Sequence, residues 1–389
     1  MVVTAIDTPA DTALHALLVE RARALAPRIR ERASLTESQR SVPRESIEEI
    51  VDAGLGGRIL APRRFGGDEL SLDTMYAVSL ELGKACASTG WCAALLPHDA
   101  HMVGYFPQTA QEAVWKNGPD ARIAASLAPA AKVHKVDGGY RLTGRHGFAS
   151  GVDHADWVIV SGLIKDSGRA ANHHFLVPAG EFAIDDDWYA AGMRGTGSKT
   201  IVVDDVFVPD GFVLPAAALV AGDGPGREFN HGPLYRQPLA LHAGLTFLGP
   251  MTGTVIDAYD QFVEWARTRP QTAGSEIVQE AIAHTSADIE LAQLSVQKVL
   301  DASRRGAMEL ADRAQTLRDY NRIAQLLETA VDRLFALSGT SGFKETSPMQ
   351  QKWRDIHMMA SHISFTRAND QHYGRLVLGL ERDPKLVVF

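Results

Sequence analysis

The chain has 389 residues and a formal net charge of −8, from 39 Lys and Arg against 47 Asp and Glu. This length exceeds what one hydrophobic core usually serves, so we expect two or three packed lobes. A mildly acidic balance without a basic block argues against nucleic acid or an anionic membrane as the main partner. We recognise no signal-peptide core and no membrane-length apolar run, which predicts a cytoplasmic protein.

Residues 1–118 predict an N-terminal helical domain. Helices are expected over residues 41–54, 72–84, 85–96 and 108–115. The first has Pro43 near its start and Gly54 as its stop, with apolar residues at helical spacing between them. The segment 85–96 is apolar nearly all round, which is typical of a buried helix. It contains Cys86 and Cys92, the only two cysteines, and we expect both to be buried free thiols.

Residues 119–225 predict a central β domain. The segments 157–164 and 200–208 are rich in β-branched residues, which is typical of strands. Turns are expected at residues 137–139 and 167–168, and the Gly-rich segment 221–226 is expected to end the domain.

Residues 226–389 predict a C-terminal helical bundle. Long helices are expected over residues 257–268, 276–309 and 353–380. One apolar stripe at helical spacing comprises Ile323, Leu326, Leu327, Ala330, Leu334 and Phe335.

The segment 192–200 comes close to a phosphate-binding loop. That loop needs Lys directly after its last glycine and a helix next, but Ser198 intervenes before Lys199 and a strand follows. We therefore expect a Gly-rich turn. No Gly-x-Gly-x-x-Gly follows a strand either, so nothing predicts a nicotinamide dinucleotide site.

His98 and His101 lie three residues apart with Asp99 between them, a spacing that admits a metal site. No zinc-type pattern of Cys or His supports a metal. Buried, hydrogen-bonded histidines are the expectation.

Three groups of motifs together resemble the acyl-CoA dehydrogenase fold in its oxygenase branch, the class D, two-component flavin-dependent monooxygenases. The groups are residues 144–151 with 153–157, residues 187–189 with 192–198 and 206–209, and residues 332–335 with 339–340, 347–350, 353–355 and 361–362. The resemblance implies an α+β fold with an N-terminal helical domain, a central β-barrel and a C-terminal four-helix bundle. Within the branch, the chain is similar to aromatic polyketide hydroxylases of the actinorhodin-pathway type and to hydroxyphenylacetate and steroid-ring phenol hydroxylases.

One position separates this chain from the dehydrogenases of the superfamily. In many of them an Arg-Asp pair precedes the segment that carries a catalytic glutamate. Aligning that pair with Arg354 and Asp355 places Ile363 at the glutamate position and His362 just before it. An isoleucine cannot remove a proton from carbon, so the resemblance implies a flavin scaffold without dehydrogenase chemistry.

The resemblance also implies a mechanism. A separate NAD(P)H:flavin reductase supplies reduced FMN or FAD, and O2 adds at flavin C4a to give a hydroperoxide that survives where water is excluded. Ser150 matches a serine that bonds flavin N5, and Ser126 matches a second serine near flavin and substrate. His362 matches the active-site histidine, which either takes the proton from a phenol or orients the terminal oxygen.

Further binding residues are implied in the same way. Phe148 and Trp157 flank the Ser150 turn and match flavin contacts. Arg269 matches a flavin-phosphate contact, with Arg267 as its competitor. Gly339, Thr340 and Gly342 resemble a loop that meets a neighbouring subunit's flavin, which predicts a homotetramer.

The substrate side departs from several phenol hydroxylases, which carry a histidine in the helix after a Gly-Trp pair. Counting from Trp91, Asp99 takes that place, flanked by His98 and His101. Trp91, His98 and Asp99 are thus expected near the substrate together with His362. The departure favours an aromatic compound bulkier than a simple phenol.

Three alternatives remain open at this point. The chain could act on an indole, on an amino-sugar nitrogen or on a thiophene sulfur. It could be an acyl-CoA dehydrogenase whose carboxylate base reaches in from another helix, or a non-catalytic member that kept the fold.

Overall fold

The computed structural model describes residues 8–166, 169–305 and 309–381. Fifteen α-helices run through these described ranges: α1 (Pro9–Glu31), α2 (Ala33–Gln39), α3 (Arg44–Asp52), α4 (Leu72–Ala85), α5 (Ala87–Val103), α6 (Gln108–Val114), α7 (Ala216–Ala221), α8 (Leu239–His242), α9 (Leu245–Arg267), α10 (Pro270–Ala273), α11 (Glu276–Arg305), α12 (Leu310–Leu337), α13 (Gly339–Gly342), α14 (Pro348–Ala360) and α15 (Arg367–Val377). The strands in the same ranges are β1 (Ile123–Val136), β2 (Gly139–Ala149), β3 (Trp157–Asp166), β4 (Arg169–Pro178), β5 (Ala183–Asp185), β6 (Lys199–Pro209) and β7 (Val213–Pro215).

The N-terminal domain is helical as expected, and it also contains α1 and α2, for which no bounds were predicted. Helix α3 begins directly after Pro43, and α4 begins at Leu72 as expected. Helix α5 is buried on nearly every side and runs to Val103, seven residues beyond the expected end. Pro97 lies inside it, and because the helix continues through that proline the sequence pattern ends too early. Cys86 and Cys92 are buried free thiols, which confirms that expectation.

The β domain is one sheet of seven strands in the order β5-β6-β2-β1-β3-β4-β7. Strand β1 joins its two halves, since its first part pairs parallel with β3 and its last part pairs antiparallel with β2. Both halves pack against one apolar core that includes Leu142, Val160, Phe175 and Ile201. In the described ranges the ladder ends at β5 and β7, so the sheet surrounds this core without a hydrogen-bonded closure. The expected turn at Gly138 is present, with φ +73°; the one at residues 167–168 lies outside the described residues.

The C-terminal helices differ from the sequence pattern in length. The stripe from Ile323 to Phe335 on α12 is buried as expected. Helix α9 begins at Leu245, twelve residues before its predicted start, because Gly249, Pro250 and Gly253 obscured the helical pattern. Helix α11 is described to Arg305, and residues 306–308 of the expected helix lie outside the described ranges.

One segment corrects the expectation that no apolar run reaches membrane length. Residues 239–267 are long and apolar enough to span a membrane by composition, yet most of the segment is buried inside the protein. It is the core of the helical bundle.

The expected single helix over residues 353–380 is wrong. Helix α14 ends at Ala360, a 3-10 turn covers Ile363–Phe365, and α15 begins at Arg367. Polar side chains make the break, because the His362 ring accepts from the Ser364 amide and the Thr366 hydroxyl accepts from the Ala368 amide. Such side-chain caps satisfy amides that a continuous helix would have bonded. His362 therefore lies between two helices.

Helices α4 and α9 cross at close range because glycines line the crossing. A Cβ added at Gly253 would overlap the Leu80 carbonyl oxygen, and one at Gly83 would lie 2.7 Å from Pro250 Cα. The backbones therefore approach within a distance that only glycine permits. This crossing fixes α9, and with it the position of Phe247, against the N-terminal domain.

We predict that Gly253→Ala lowers the free energy of unfolding by about 1–3 kcal/mol, because the added methyl overlaps a backbone carbonyl that cannot move without shifting α4. The measurement is denaturant unfolding followed by circular dichroism. Gly374→Ala is the matched control, since no atom lies within 4 Å of its Cβ position and alanine favours a helix interior by up to about 1 kcal/mol. Equal destabilisation by both changes would contradict the packing argument.

Candidate active site

A tight turn at the end of β2 presents Ser150. Phe148 adopts φ +61° and Gly151 adopts φ +73°, both in the left-handed region. For a residue with a side chain this conformation costs roughly 1–2 kcal/mol, and such strain concentrates at functional sites. The Phe148 ring is 75% exposed and meets the Trp188 ring edge to face at 5.9 Å. The turn thus carries an exposed apolar ring two residues before Ser150.

The Ser150 hydroxyl has two polar partners. The indole Nε1 of Trp91 donates to its Oγ over 3.3 Å, and the Ser198 Oγ lies 2.7 Å away. Trp91 comes from α5 and Ser198 directly precedes β6, so this contact joins the helical and β domains.

Three rings from three parts of the chain lie against one another. Trp91 stacks on Phe247 with 4.2 Å between ring centroids. The His362 ring lies 4.1 Å from Phe247 and meets Trp91 edge to face at 5.6 Å. The sequence places these residues more than a hundred positions apart, and the fold gathers them next to Ser150. Ile363, at the glutamate position of the dehydrogenases, is half exposed.

The hydrogen bonds of His362 define which ring nitrogen carries a proton. Its Nδ1 accepts from the Ser364 amide over 3.2 Å, and the Ser364 hydroxyl lies at the same distance. A nitrogen that accepts from an amide holds no proton of its own, so the neutral ring carries its proton on Nε2. Burial lowers the pKa of His362 to about 4, assisted by repulsion from His98. At neutral pH the ring is therefore uncharged and offers an Nε2–H donor.

A second polar group lies deeper, behind this ring cluster. His98 Nδ1 pairs with Asp99 Oδ1 at 3.0 Å, and His98 Nε2 lies 3.1 Å from His242 Nδ1. Burial raises the pKa of Asp99 and lowers the pKa of His242 well below its usual value. His101, 0% exposed, bonds instead to the Leu234 carbonyl. These are buried, hydrogen-bonded histidines, and across the described residues no group of three or more His, Cys, Asp or Glu is arranged to hold a metal ion.

The remaining expected site residues lie apart from this cluster or make local contacts. Ser126 donates to the Gly147 carbonyl over 2.8 Å and so ties β1 to the strand that ends in the Ser150 turn. Trp157 stacks on Phe212 at 6.0 Å. Arg269 donates to the Trp265 carbonyl, and Arg267 is exposed near Glu264.

Gly339, Thr340 and Gly342 form the short helix α13 between α12 and α14. Their role in flavin binding stays a prediction, as do those of Arg267, Arg269 and Trp157.

The Arg354-Asp355 pair holds the Gly-rich turn in place. The Asp355 carboxylate accepts from the Met193 amide over 2.6 Å, and Arg354 donates to the Ala191 carbonyl. Met193 adopts φ +50°, and its carbonyl accepts from the Trp188 indole at 3.1 Å. The segment 192–200 is therefore a Gly-rich turn followed by β6, as expected.

Sequence reasoning missed Phe247, His242 and the hydroxyls of Thr196 and Ser198. Phe247 lies in an apolar helix and carries no local signal. The two hydroxyls lie in a segment that the phosphate-loop comparison treated only as a turn. The pattern Thr-Gly-Ser before a strand was the one available signal.

Comparison with known proteins decides the family. The acyl-CoA dehydrogenase C-terminal domain matches residues 245–367. The chain is 36% identical over 377 residues to the flavin-dependent monooxygenase oxygenase subunit HsaA of Rhodococcus jostii, a match that covers 93% of this chain and 97% of that protein. It is 33% identical to the oxygenase component of an FADH(2)-dependent resorcinol hydroxylase of a Rhizobium species, over 96% and 97% of the two chains. The crystal structure of 3-HSA hydroxylase from a Rhodococcus species superposes with a TM-score of 0.91 at 32% identity, over 95% and 99% of the chains.

The chain belongs to the flavin-dependent monooxygenases. It is an oxygenase component with the acyl-CoA dehydrogenase fold, which confirms the resemblance found in the motifs. The residues present fit a flavin, because the partly buried Ser150 hydroxyl keeps one oxygen lone pair that no described group fills, and the same turn carries the exposed Phe148 ring.

We predict that Asp355→Asn makes the stability of this monooxygenase less dependent on pH. Burial raises the pKa of Asp355 to about 7 from a usual value of 3.8. Between pH 4 and pH 7 the unfolded chain has therefore lost the Asp355 proton while the folded protein still holds it. Over this range the free energy of unfolding of the wild type falls by up to about 4 kcal/mol through this group. Asparagine keeps the acceptor for Met193 but does not ionise.

The measurement is urea unfolding of both proteins at pH 4.5 and pH 8. Relative to wild type, the free energy of unfolding of Asp355→Asn should be about 2–4 kcal/mol higher at pH 8 than at pH 4.5. Asp355→Leu is the control, since it removes the acceptor and should be less stable than Asp355→Asn at both. If the difference in unfolding free energy between wild type and Asp355→Asn is the same at both pH values, the raised pKa of a buried Asp355 carboxylate is contradicted.

Proposed function

We propose that this oxygenase hydroxylates a phenolic ring with reduced FMN or FAD supplied by a separate NAD(P)H:flavin reductase in the cytoplasm. The observation that carries the proposal is the meeting of Trp91, Phe247 and His362 beside Ser150. Support also comes from the resorcinol hydroxylase relative, which its name places among FADH(2)-dependent oxygenase components. In such a reaction one atom of O2 enters the ring and the other leaves as water.

The reduced flavin supplies the two electrons that activate O2. The chain's own contribution is a site that binds flat rings and excludes water, since Trp91 and Phe247 are both less than one-tenth exposed. The Phe148 face and the Ser150 hydroxyl would hold the flavin edge. Arg269, or Arg267 in its place, would contact a flavin phosphate.

His362 is better suited to donate a hydrogen bond than to accept a proton. A general base would need a bare Nε2, which would put the ring proton on Nδ1 against the Ser364 amide and break the hydrogen bond that caps the turn, leaving only the Ser364 Oγ, also at 3.2 Å, to accept it. We therefore assign His362 the second of its two expected roles, in which Nε2–H orients an oxygen atom in the site. The lowered pKa keeps this donor uncharged at neutral pH.

The active assembly is proposed to be a homotetramer. Helices α11 and α12 carry the exposed apolar side chains Ile277, Leu291, Leu294 and Leu310, and apolar groups of this kind mark surfaces that associate. The α13 loop would then approach the flavin of a neighbouring subunit, as the motif resemblance implies.

We predict that His362→Gln keeps most of the hydroxylation that His362→Ala loses. Glutamine has an N–H donor but cannot act as a base, whereas alanine has neither. Loss of a preorganised donor should lower product formation about 10²-fold in the alanine variant, and the glutamine variant should stay within about tenfold of wild type. The measurement is hydroxylated resorcinol formed per reduced FAD consumed.

His284→Gln is the matched control, because that histidine is surface-exposed. A second readout is pH: with the pKa of His362 lowered to about 4, the pH profile of product per flavin between pH 8 and pH 5.5 should have the same shape in wild type and in His362→Gln. Equal loss in the glutamine and alanine variants, with an inflection near pH 6.5 that is present in wild type and absent from both variants, would establish a general base instead.

A further inference from the structure

A chain of buried hydroxyls runs from Ser150 into the Gly-rich turn. The Ser150 Oγ lies 2.7 Å from the Ser198 Oγ, which lies 2.6 Å from the Thr196 Oγ1. The Thr196 Oγ1 in turn donates to the Met193 carbonyl over 2.8 Å. Ser198 is 6% exposed and Thr196 is 2% exposed, so bulk water does not compete for these contacts.

Counting protons fixes the direction of this chain. A carbonyl oxygen can only accept, so the single Thr196 proton lies on the Met193 side. The 2.6 Å contact between Thr196 and Ser198 then needs the Ser198 proton, because two oxygens at that distance without a proton between them repel. By the same argument the 2.7 Å contact between Ser198 and Ser150 needs the Ser150 proton.

The Ser150 hydroxyl is left with no proton to offer. One of its two lone pairs receives the Trp91 indole N–H, and the other is free. Toward any ligand in the site, Ser150 is therefore an acceptor only.

We propose that Ser198 and Thr196 are positioning residues that make Ser150 select a ligand with a ring N–H over the same ligand with a bare ring nitrogen. This inference rests on the proposed function, in which Ser150 holds the flavin edge, and on the motif resemblance, in which the matching serine bonds flavin N5. Reduced flavin carries hydrogen on N5, and oxidised flavin carries only a lone pair there. The hydroxyl chain thus favours reduced flavin and repels the oxidised form.

The anchor of the chain is itself rigid. The Met193 amide is bonded to Asp355, and its carbonyl receives the Trp188 indole as well as Thr196. With the carbonyl held from several sides, the last acceptor cannot turn away and release the Thr196 proton. The direction of all three hydroxyls follows from this fixed carbonyl.

Two substitutions test the direction of the hydrogen bonds in this chain, and the second should change the hydrogen bonding of Ser150 more than the first. Ser198→Ala removes the acceptor of the Ser150 proton, so Ser150 becomes free to donate to oxidised flavin while it can still accept from reduced flavin. Thr196→Val is nearly isosteric and removes the acceptor of the Ser198 proton. Ser198 then turns to donate to Ser150, whose lone pairs are filled and whose own proton must point at the ligand.

The experiment measures the dissociation constants of oxidised FAD in air and of chemically reduced FAD under anaerobic conditions, by ultrafiltration. The ratio of the oxidised to the reduced constant should be largest for wild type. It should fall about three- to tenfold in Ser198→Ala, the scale of one hydrogen bond, and further in Thr196→Val. Thr196→Ser should restore the wild-type ratio.

Ser161→Ala is the control for loss of a buried hydroxyl, because Ser161 lies on β3 and bonds only His174 among its described partners. Circular dichroism checks that each variant folds. If Ser198→Ala does not fold, Thr196→Val and Thr196→Ser provide the test. A ratio unchanged in Ser198→Ala and Thr196→Val but altered in Ser150→Ala would overturn the proposal. If Ser150→Ala also leaves the ratio unchanged, Ser150 does not contact flavin N5 and the proposal is overturned. If the wild type binds neither form of flavin, the proposed function itself is refuted.

Discussion

The backbone of Met193 is the point on which the arrangement of the site depends. Its amide donates to Asp355 of α14, and its carbonyl accepts from Trp188 and Thr196 of the β domain. Through the hydroxyls it reaches Ser150 and then Trp91 of α5. One residue in a left-handed conformation therefore connects the C-terminal bundle, the sheet and the N-terminal helices. Hydrogen bonds in a buried, low-dielectric setting are costly to break, so this connection holds the three parts in register.

Packing supplies the other half of the arrangement. Glycines at the crossing of α4 and α9 let the two backbones approach, and α5 packs on α4 at Gly90 against Gly83 in the same way. The close layers bring Phe247 of α9 onto Trp91 of α5, where the break after α14 adds His362. The break is therefore as much a part of the site as the rings, because it turns Nδ1 of His362 toward the Ser364 amide and leaves Nε2–H for the ligand.

Local patterns predicted what depends on neighbours in the sequence. The strands at Trp157 and Lys199, the start of α4 at Leu72 and the stripe of α12 all follow from periodicity and turn residues. The motif resemblance placed Ser150 and His362, which the structure brings to one ring cluster. Periodicity could not show the break at His362, since a histidine and two hydroxyl residues also fit a polar helix face. Nor could it show Phe247 on Trp91 or the direction of the hydroxyls, which depend on contacts between residues far apart in the chain.

The most direct test of an oxygenase acting on a phenol is to determine whether the oxygen atom added to the product comes from O2 or from water. The protein is mixed with chemically reduced FAD and resorcinol or another phenol under 18O2, and the product is analysed by mass spectrometry. The account predicts a hydroxylated product with one 18O atom, and no label when 18O is supplied only as water. Reduced flavin that is consumed without any hydroxylated product across a set of phenols, with all the oxygen recovered as hydrogen peroxide, would contradict it.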